Sequence, residues 1–291
     1  MFKRSFKQAI KGNIWRFLLG SGSCGAIMSI FQAGKNFFSM EIEKSIFWGS
    51  IFLLSIFLVR FIYFIGMNII IFIHNTYIDS IWGEAIIDLK DAYSEIHHLR
   101  KNENFNDVEF MNAMITFCNT LKKIFDRKTK ANCCVSIKVP IVESDKLETI
   151  ELRNLCRDPY HKGRDTEQYM TTKHTIIGNT PYRVIVNKIL KKSHKNLAYV
   201  NNDIENTKDY DNTSKECNDK GILPYKSELV FPIIPIKNDD TKNSKMCGFI
   251  CIDCDKKGKF DEERYDVPMV EGIADCIYDV IMKRNQIYNQ K

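Results

Sequence analysis

The chain contains an apolar run that ordinary soluble folds do not expose. Residues Ile46 to Ile73 include one charged side chain, Arg60. At a rise of 1.5 Å per residue, a helix of this length reaches roughly 42 Å, which exceeds the roughly 30 Å hydrocarbon core of a bilayer. A buried helix of a soluble protein rarely lacks a polar face over such a length. The sequence therefore predicts a membrane-spanning helix here.

An earlier stretch, Ile14 to Phe31, is also apolar and contains several small residues, among them Gly20, Gly22 and Gly25. Small residues let helices approach closely, so this stretch is suited to packing against the second span or against another copy of the chain. An interfacial or signal-type segment is the alternative. We expect a transmembrane hairpin of two helices over residues 1–75.

Basic residues predict the orientation of this hairpin. Lys3, Arg4, Lys7 and Lys11 precede the first span, and no acidic residue lies among them. The positive-inside rule then predicts a multi-pass protein of the inner (plasma) membrane, with the N-terminus and the C-terminal domain in the cytoplasm. Arg60 either faces protein or water with a functional role, or extends to the lipid headgroups at one end of the span.

The charge distribution argues against a nucleic-acid-binding domain. The first 73 residues carry eight Lys/Arg and two Asp/Glu, whereas the remaining residues carry 34 of each. The net charge of +6 therefore lies entirely in the predicted membrane part. An electroneutral C-terminal part has no overall field that would attract phosphate backbones. The partners that we expect are a lipid bilayer, a small molecule and a second copy of the chain.

Residues 76–104 are predicted to form an amphipathic connecting helix. Apolar residues recur at a spacing of three or four, which requires one stripe of the helix to be buried. Pairing with the same helix of a second subunit is the simplest arrangement after a membrane span, and packing on the chain's own domain is the alternative. The charged, Asn-rich segment Lys101–Asp107 then predicts a domain boundary.

Residues 105–291 are predicted to form an α+β domain, an antiparallel sheet with helices covering one face. Segments with helical periodicity alternate with strand-like runs along this part. Thr180, as a cap before Pro181, is a signal for the start of a helix. The predicted helices are 108–125, 165–174, 180–190 and 265–284, and the strand-like runs are 133–141, 147–156, 197–200, 228–237 and 245–253. A polar loop is predicted between residues 201 and 221.

Three segments of this domain resemble the C-terminal half of a GAF domain. They are Tyr225–Ile233, Gly248–Asp253 and Phe260–Glu263. The first carries Tyr-x-Ser before a strand that ends in proline and an aliphatic residue, the second is a strand that begins with glycine, and the third precedes the last helix. The resemblance covers about the last seventy residues well and extends weakly over Val108–Asp203. Asp255 stands where cyclic-nucleotide GAF domains carry asparagine, so cyclic-mononucleotide binding is not supported.

The resemblance implies a cavity between the sheet and the segments that cover it. Candidate ligand-binding residues come from the elements that flank this place, and they offer aromatic faces and hydrogen-bonding groups for a nucleobase or another planar ligand. They are Arg157, Tyr169, Tyr182, Arg183, Tyr199, Asn201, Ser227 and Glu228. The alternative is a packed tyrosine or a solvated arginine at each position.

No motif predicts catalysis, a cofactor or a metal site. Cys251 and Cys254 form a Cys-x-x-Cys, but strand alternation turns residues three apart to opposite faces, while Cys247 and Cys251 would share one face. We therefore interpret these cysteines as small core residues. The chain is predicted not to be an enzyme, and an enzyme with an unfamiliar site is the least favoured alternative.

The leading functional hypothesis is a membrane-anchored ligand sensor. It would bind a nucleotide-type small molecule, such as a cyclic oligonucleotide, and signal through its transmembrane helices, because no output domain follows the last predicted helix. Two spans followed by a sensor is also similar to the layout of bacterial antiphage membrane effectors, an analogy that does not itself establish function. The alternative hypothesis is a non-enzymatic interaction module that recruits a partner protein to the membrane.

Overall fold

The computed structural model describes residues 32–33, 42–142, 146–160, 169, 171–191, 196–217, 221–235 and 246–289. It divides into two compact units, residues 1–80 and 81–291. The predicted first span, Ile14–Phe31, and the basic residues before it lie outside the described residues. The predicted hairpin of two helices therefore stays a prediction.

Helix α1 (Ile42–Lys101) contains the predicted second span. Among the described residues, α1 is the one helix that is long and apolar enough to cross a membrane. Its large side chains are mostly exposed, Leu54 at 64% and Ile70 at 62% among them. The guanidinium of Arg60 lies 5.5 Å from the ring centroid of Phe64, one turn further along the helix. Both interpretations of Arg60 stay open.

Residues 81–101 of α1 belong to the C-terminal unit and do not form a separate connecting helix. The apolar stripe is buried within that unit, in one core with residues of the helices and sheet described below. Its members are Ile81, Ala85, Leu89, Ala92, Ile96 and Leu99. Packing on the chain's own domain is thus the observed arrangement, in place of the pairing between subunits that we expected for this stripe. Homo-oligomerisation itself stays a prediction.

Helix α2 (Asp107–Thr129) confirms the predicted helix at residues 108–125. Asn106 starts it with a capping box: its side chain accepts a hydrogen bond from the Glu109 amide, and the Glu109 carboxylate accepts one from the Asn106 amide. Such a cap satisfies amide groups that have no partner inside the helix. The buried positions, from Phe110 through Phe117 to Phe125, recur every three or four residues and enter the main core.

The remaining elements form one antiparallel sheet and two further helices. The strands are β1 (Cys133–Pro140), β2 (Glu151–Arg157), β3 (His174–Thr175), β4 (Tyr199–Asn201), β5 (Ser227–Pro232) and β6 (Phe249–Cys254). The helices are α3 (Thr180–Leu190) and α4 (Asp266–Asn289). The strand order is β3-β2-β1-β6-β5-β4, and short 3-10 turns occupy Ile204–Asn206 and Thr213–Cys217 in the predicted polar loop. The predicted α+β class is confirmed.

Helices lie on both faces of this sheet, which corrects the prediction that they cover one face. α2, α4 and residues 81–101 pack on the first face through the main core. α3 packs on the second face, where Tyr182, Ile185 and Val186 contact Val230 of β5 and Phe249 of β6 in a separate cluster. The second face thus carries a smaller apolar core, and polar groups occupy the rest of it.

Two local predictions also need correction. The predicted helix 165–174 falls largely outside the described residues; Tyr169 and Thr171 are helical as predicted, but its last residue, His174, lies in strand β3. α3 begins at Thr180 as predicted, but its N-cap residue is Asn179, so Thr180 and Pro181 are the first helical residues. Proline is favoured there because its missing N–H would have no partner inside the helix.

Candidate functional site: a polar pocket on the second face of the sheet

A small polar pocket lies on the second face beside α3. Its floor follows from strand register. Ser136 of β1 is opposite Cys251 of β6, Cys251 is opposite Val230 of β5, and Glu228 is opposite Asp253. Because alternate residues of a strand share a face, these side chains point the same way as Lys138. The 3-10 turn at Thr213–Cys217 contributes Ser214 to the lining.

One end of the pocket is basic. Lys138 of β1, Arg157 of β2 and His174 of β3 all line it. The Nζ atom of Lys138 lies 2.6 Å from Nε2 of His174, and both side chains are buried. Burial lowers the pKa of Lys138 to about 8, helped by the positive charge of Arg157. Burial, with the charges of Lys138 and Arg157, lowers the pKa of His174 to about 2, so His174 is neutral.

The ring of His174 is held in one orientation. Its Nδ1 atom lies 2.7 Å from the hydroxyl oxygen of Thr213, and Thr213 in turn donates from its backbone amide to Oδ1 of Asn179. Because an ammonium group only donates hydrogen bonds, Nε2 accepts from Lys138 and Nδ1–H donates to Thr213. The loop that carries Thr213 therefore fixes the group that faces Lys138.

The lining of the pocket also includes two acidic residues. Glu228 of β5 and Asp253 of β6 are register partners, and both line the pocket. Tyr210 donates its hydroxyl to Oε1 of Glu228 at 2.6 Å. Burial raises the pKa of Glu228 to about 8; the Tyr210 hydrogen bond opposes this shift, and the charge of Asp253 adds to it. Glu228 is therefore substantially protonated at neutral pH.

Asn154 presents a buried acceptor to the pocket. It is the register partner of Lys138 on β2 and is 7% exposed. Its amide nitrogen donates to the backbone oxygen of Tyr169 at 2.6 Å, whereas its Oδ1 atom has no hydrogen-bond partner among the described residues. A buried acceptor left unsatisfied costs about 1–3 kcal/mol. A ligand with a donor group would remove that cost.

The glycine that opens β6 shapes this region. Gly248 has φ +153°, and a Cβ atom there would collide with the backbone oxygen of Lys138. Residues 246–248 precede the strand, so side chains do not alternate across them. Cys247 consequently packs in the main core on the first face, while Cys251 contacts the cluster on the second face. The prediction that these two cysteines share a face was wrong for this reason.

The predicted separation of Cys251 and Cys254 by strand alternation is observed, although Cys251 is partly buried and lines the pocket. Cys254 is in the main core and Cys251 lies on the second face, with its sulfur 3.5 Å from the hydroxyl of Tyr182, so the Cys-x-x-Cys pair is split between faces. Among the described residues, no group of three or more His, Cys, Asp and Glu side chains could hold a metal ion.

Four of the eight predicted site residues line the pocket. They are Arg157, Tyr169, Tyr182 and Glu228. The guanidinium of Arg157 lies 5.8 Å from the ring centroid of Tyr169, and Tyr182 stacks on Phe249 with ring centroids 4.6 Å apart. Two of the tyrosine rings thus already have partners within the protein.

The other four predicted residues lie outside the pocket lining. Arg183 contacts the Asp211 carboxylate at 3.4 Å and donates to the backbone oxygen of Ile177. Asn201 donates to the hydroxyls of Tyr199 and Thr207. Ser227, adjacent to Glu228 on β5, points to the opposite face and donates to the Lys256 backbone oxygen at 2.6 Å.

Lys138, His174, Asn154 and Asp253 also line the pocket, and none of them was predicted from the sequence. One usable signal existed, because Lys138 is the one charged residue in the strand run of residues 133–141. A charged residue in a strand buried on both faces needs a partner or a function. His174 gave no such signal, since its contact with Lys138 depends on the pairing of β3 with β2.

Comparison with known proteins gives a likeness of fold. No protein-family model and no curated protein matches the chain. Similar solved structures include the free methionine-R-sulfoxide reductase of Neisseria meningitidis, which is 13% identical with a TM-score of 0.41 over 70% of this chain and 93% of that chain. A putative GAF sensor protein of Burkholderia vietnamiensis is 13% identical, with a TM-score of 0.38 over 68% and 90%. The GAF domain of an Acinetobacter phosphoenolpyruvate-protein phosphotransferase is 10% identical, with a TM-score of 0.39 over 69% and 96%.

The fold is GAF-like. The antiparallel sheet of six described strands with flanking helices fits the resemblance drawn from residues 225–263. A shared fold leaves the ligand and the activity open, because function depends on the site and not on the fold.

Proposed function

We propose that residues 81–291 are a receptor for a small, anionic or zwitterionic molecule that binds in the pocket on the second face. The observation that carries this proposal is the basic end of the pocket, where Lys138, Arg157 and His174 converge. An anion placed there would provide a counter-charge for the buried Lys138, whose hydrogen-bonding partner among the described residues, His174, is neutral. Asn154 and the acidic residues offer acceptors to a donor group of the same ligand.

The contacts favour a small ligand over a nucleotide. A nucleobase usually stacks on an open aromatic face, but Tyr182 stacks on Phe249 and Arg157 covers Tyr169. Cyclic oligonucleotides are therefore included in the test below as a competing class of ligand. The polar lining also favours a receptor over a pure interaction module, for which we would expect a cavity filled by apolar side chains.

Thermal unfolding of the full-length chain in detergent tests this function. The panel contains acetate, pyruvate, 2-oxoglutarate, inorganic phosphate, cyclic AMP and cyclic di-AMP. We expect a small carboxylate at a hundredfold excess over its Kd to stabilise the protein by about 2.7 kcal/mol, which raises the Tm by roughly 5–10 °C for a unit of this size. Arg157→Gln is expected to abolish the shift.

The matched control is Arg183→Gln, which removes an arginine outside the pocket. It is expected to keep the ligand-induced shift even if its own Tm falls slightly. Equal shifts in the two variants, or no shift with any compound, would contradict the proposed site. A shift with cyclic di-AMP alone would favour the nucleotide hypothesis.

We further propose that the apolar part of α1 anchors the chain in a membrane, and that ligand binding is transmitted through it. Support comes from its length, composition and exposed apolar side chains. We expect the full-length protein to stay in the membrane pellet after an alkaline carbonate wash and to be released by detergent. Recovery in the aqueous fraction without detergent would contradict the anchor. The antiphage role and the absence of enzymatic activity stay predictions.

A further inference from the structure

The lysine of the pocket is buried without an acidic partner. Lys138 is 6% exposed, and among the described residues its side-chain nitrogen forms no ion pair; its hydrogen-bonding partner is the neutral His174. A buried ammonium group without a counter-charge is unfavourable, so a much larger fraction of Lys138 is the neutral amine near neutral pH than of an ordinary lysine. A neutral lysine amine in a pocket is the state that attacks carbonyl carbons.

A second lysine shows why this environment is unusual. Lys122 is equally buried, but its ammonium group contacts the Asp126 carboxylate at 2.9 Å, Oδ1 of Asn132 and the backbone oxygen of Cys133. Its pKa is raised by the hydrogen bond and charge of Asp126, which outweigh desolvation. The surroundings of Lys122 thus stabilise its ammonium form, whereas those of Lys138 destabilise it.

We propose that Lys138 captures a small 2-oxo acid by forming an imine with its carbonyl carbon. This inference rests on the proposed ligand site and names the chemical class of its ligand. Arg157 beside Lys138 would bind the carboxylate, which places the adjacent carbonyl carbon near Nζ. His174 Nε2 accepts one N–H of the amine and so acts as a positioning residue for the nitrogen lone pair.

The reaction balances without an oxidant or reductant. The lone pair of the neutral amine forms the N–C bond, and the π electrons of the carbonyl move to its oxygen, which takes a proton. The nitrogen of this carbinolamine loses a proton to solvent. The hydroxyl then takes a proton and leaves as water while the nitrogen lone pair forms the C=N bond, and the nitrogen releases its remaining proton to solvent. The net change is amine plus 2-oxo acid giving imine plus water.

The pocket also offers a partner for the intermediate. The new hydroxyl of the carbinolamine is a donor, and Oδ1 of Asn154, the register partner of Lys138, is an acceptor without a partner among the described residues. A hydrogen bond between them would exist in the carbinolamine but not in the free 2-oxo acid, which has no donor when ionised. Such an interaction stabilises the carbinolamine intermediate and so speeds formation of the imine.

Trapping with sodium cyanoborohydride tests the imine directly. The full-length chain in detergent is incubated with pyruvate and the reductant, and intact mass is measured. We expect one adduct per chain, with a mass increase equal to pyruvate less one oxygen atom, and peptide mapping should place it on Lys138. Lys138→Arg, which keeps the charge but removes the nucleophile, is expected to reduce the labelling rate at least about tenfold.

The control is Lys188→Arg. Lys188 also has a lowered pKa through burial, but it lies outside the pocket lining and donates to the backbone oxygens of Asn196 and Ala198. This variant should label at the rate of the unchanged protein. An adduct on Lys188 or spread over surface lysines would overturn the inference. Peptide mapping of the unchanged protein gives this result even if Lys138→Arg does not fold.

The pH dependence provides an independent readout. We expect the labelling rate to rise with pH up to about 8, the pKa of Lys138, and then to level off. The charged and titratable groups that face Lys138 from the neighbouring elements are Arg157, His174, Cys217, Cys251 and Asp253. A rate that keeps rising towards the pKa of ordinary lysines would indicate labelling elsewhere and contradict the proposal.

The outcomes separate this inference from the proposed function. A pyruvate-dependent rise in Tm that Arg157→Gln abolishes, without a trapped adduct, would refute the imine and leave the receptor intact. Absence of both the Tm shift and the adduct would refute both proposals for this probe. An adduct that needs Lys138 and Arg157 supports both.

Discussion

Replacing Phe125 by alanine is expected to lower the free energy of unfolding by about 3–5 kcal/mol, the usual cost of removing a buried phenylalanine side chain. Phe125 is fully buried, and its ring meets Trp82 of α1 edge-on at 6.2 Å and Phe260, which precedes α4, at 5.7 Å. It therefore joins residues 81–101 to the main core. Thermal unfolding should show a Tm lower by roughly 6–20 °C.

The matched control on the same helix is Val108→Ala. Val108 is 69% exposed, so this change should alter the free energy of unfolding by no more than about 0.5 kcal/mol. A loss below about 1 kcal/mol for Phe125→Ala would contradict the packing of residues 81–101 against α2. It would also reopen the arrangement in which this stripe pairs with a second subunit.

Replacing Glu228 by glutamine is expected to change how stability depends on pH. The pKa of Glu228 is raised by burial from 4.5 to about 8, so the folded state holds a proton that the unfolded state releases. The contribution of this group is therefore fully present below about pH 4.5 and is lost as pH rises to about 8. Across this window the unchanged protein should lose on the order of 3 kcal/mol relative to Glu228→Gln.

Glutamine keeps the shape of the protonated carboxyl and an acceptor for the Tyr210 hydroxyl. The measurement is urea unfolding of both proteins at several pH values between about 4.5 and 8. His174 and Lys138 also have shifted pKa values, but they are common to both proteins, so the difference between the two curves isolates Glu228. Glu148→Gln, at an exposed position, should reproduce the curve of the unchanged protein. Parallel curves for Glu228→Gln would show that the carboxyl is not buried.

The spacing of apolar residues along the sequence was enough to predict several helices and strands. The spacing from Phe110 to Phe125 predicted α2 and gives its buried face, whereas the capping box of Asn106 and Glu109 was not predicted. The strand runs at β5 and β6 were also evident from their apolar side chains. By contrast, the position of α3 on the second face depends on Tyr182 meeting Phe249, a contact between residues far apart in the chain.

The same limit applies to the site. Glu228 and Tyr182 were predicted because the GAF resemblance points to the elements that carry them, and both line the pocket. Arg183 follows Tyr182 directly, and neighbouring helical residues point about 100° apart, so it contacts Asp211 instead. The contact of Lys138 with His174 depends on the pairing of β1 with β2 and of β2 with β3. No local sequence pattern predicts these pairings.

The most direct test of the central claim, that a polar pocket beside α3 binds a small ligand, is a crystal structure of the full-length chain with pyruvate. We predict density for the ligand between Arg157 and Lys138, with Lys138 Nζ joined to the ligand carbon or within hydrogen-bonding distance of it. The account would be contradicted by a pocket filled with side chains, with Lys138 paired to a carboxylate of the protein and the pyruvate absent.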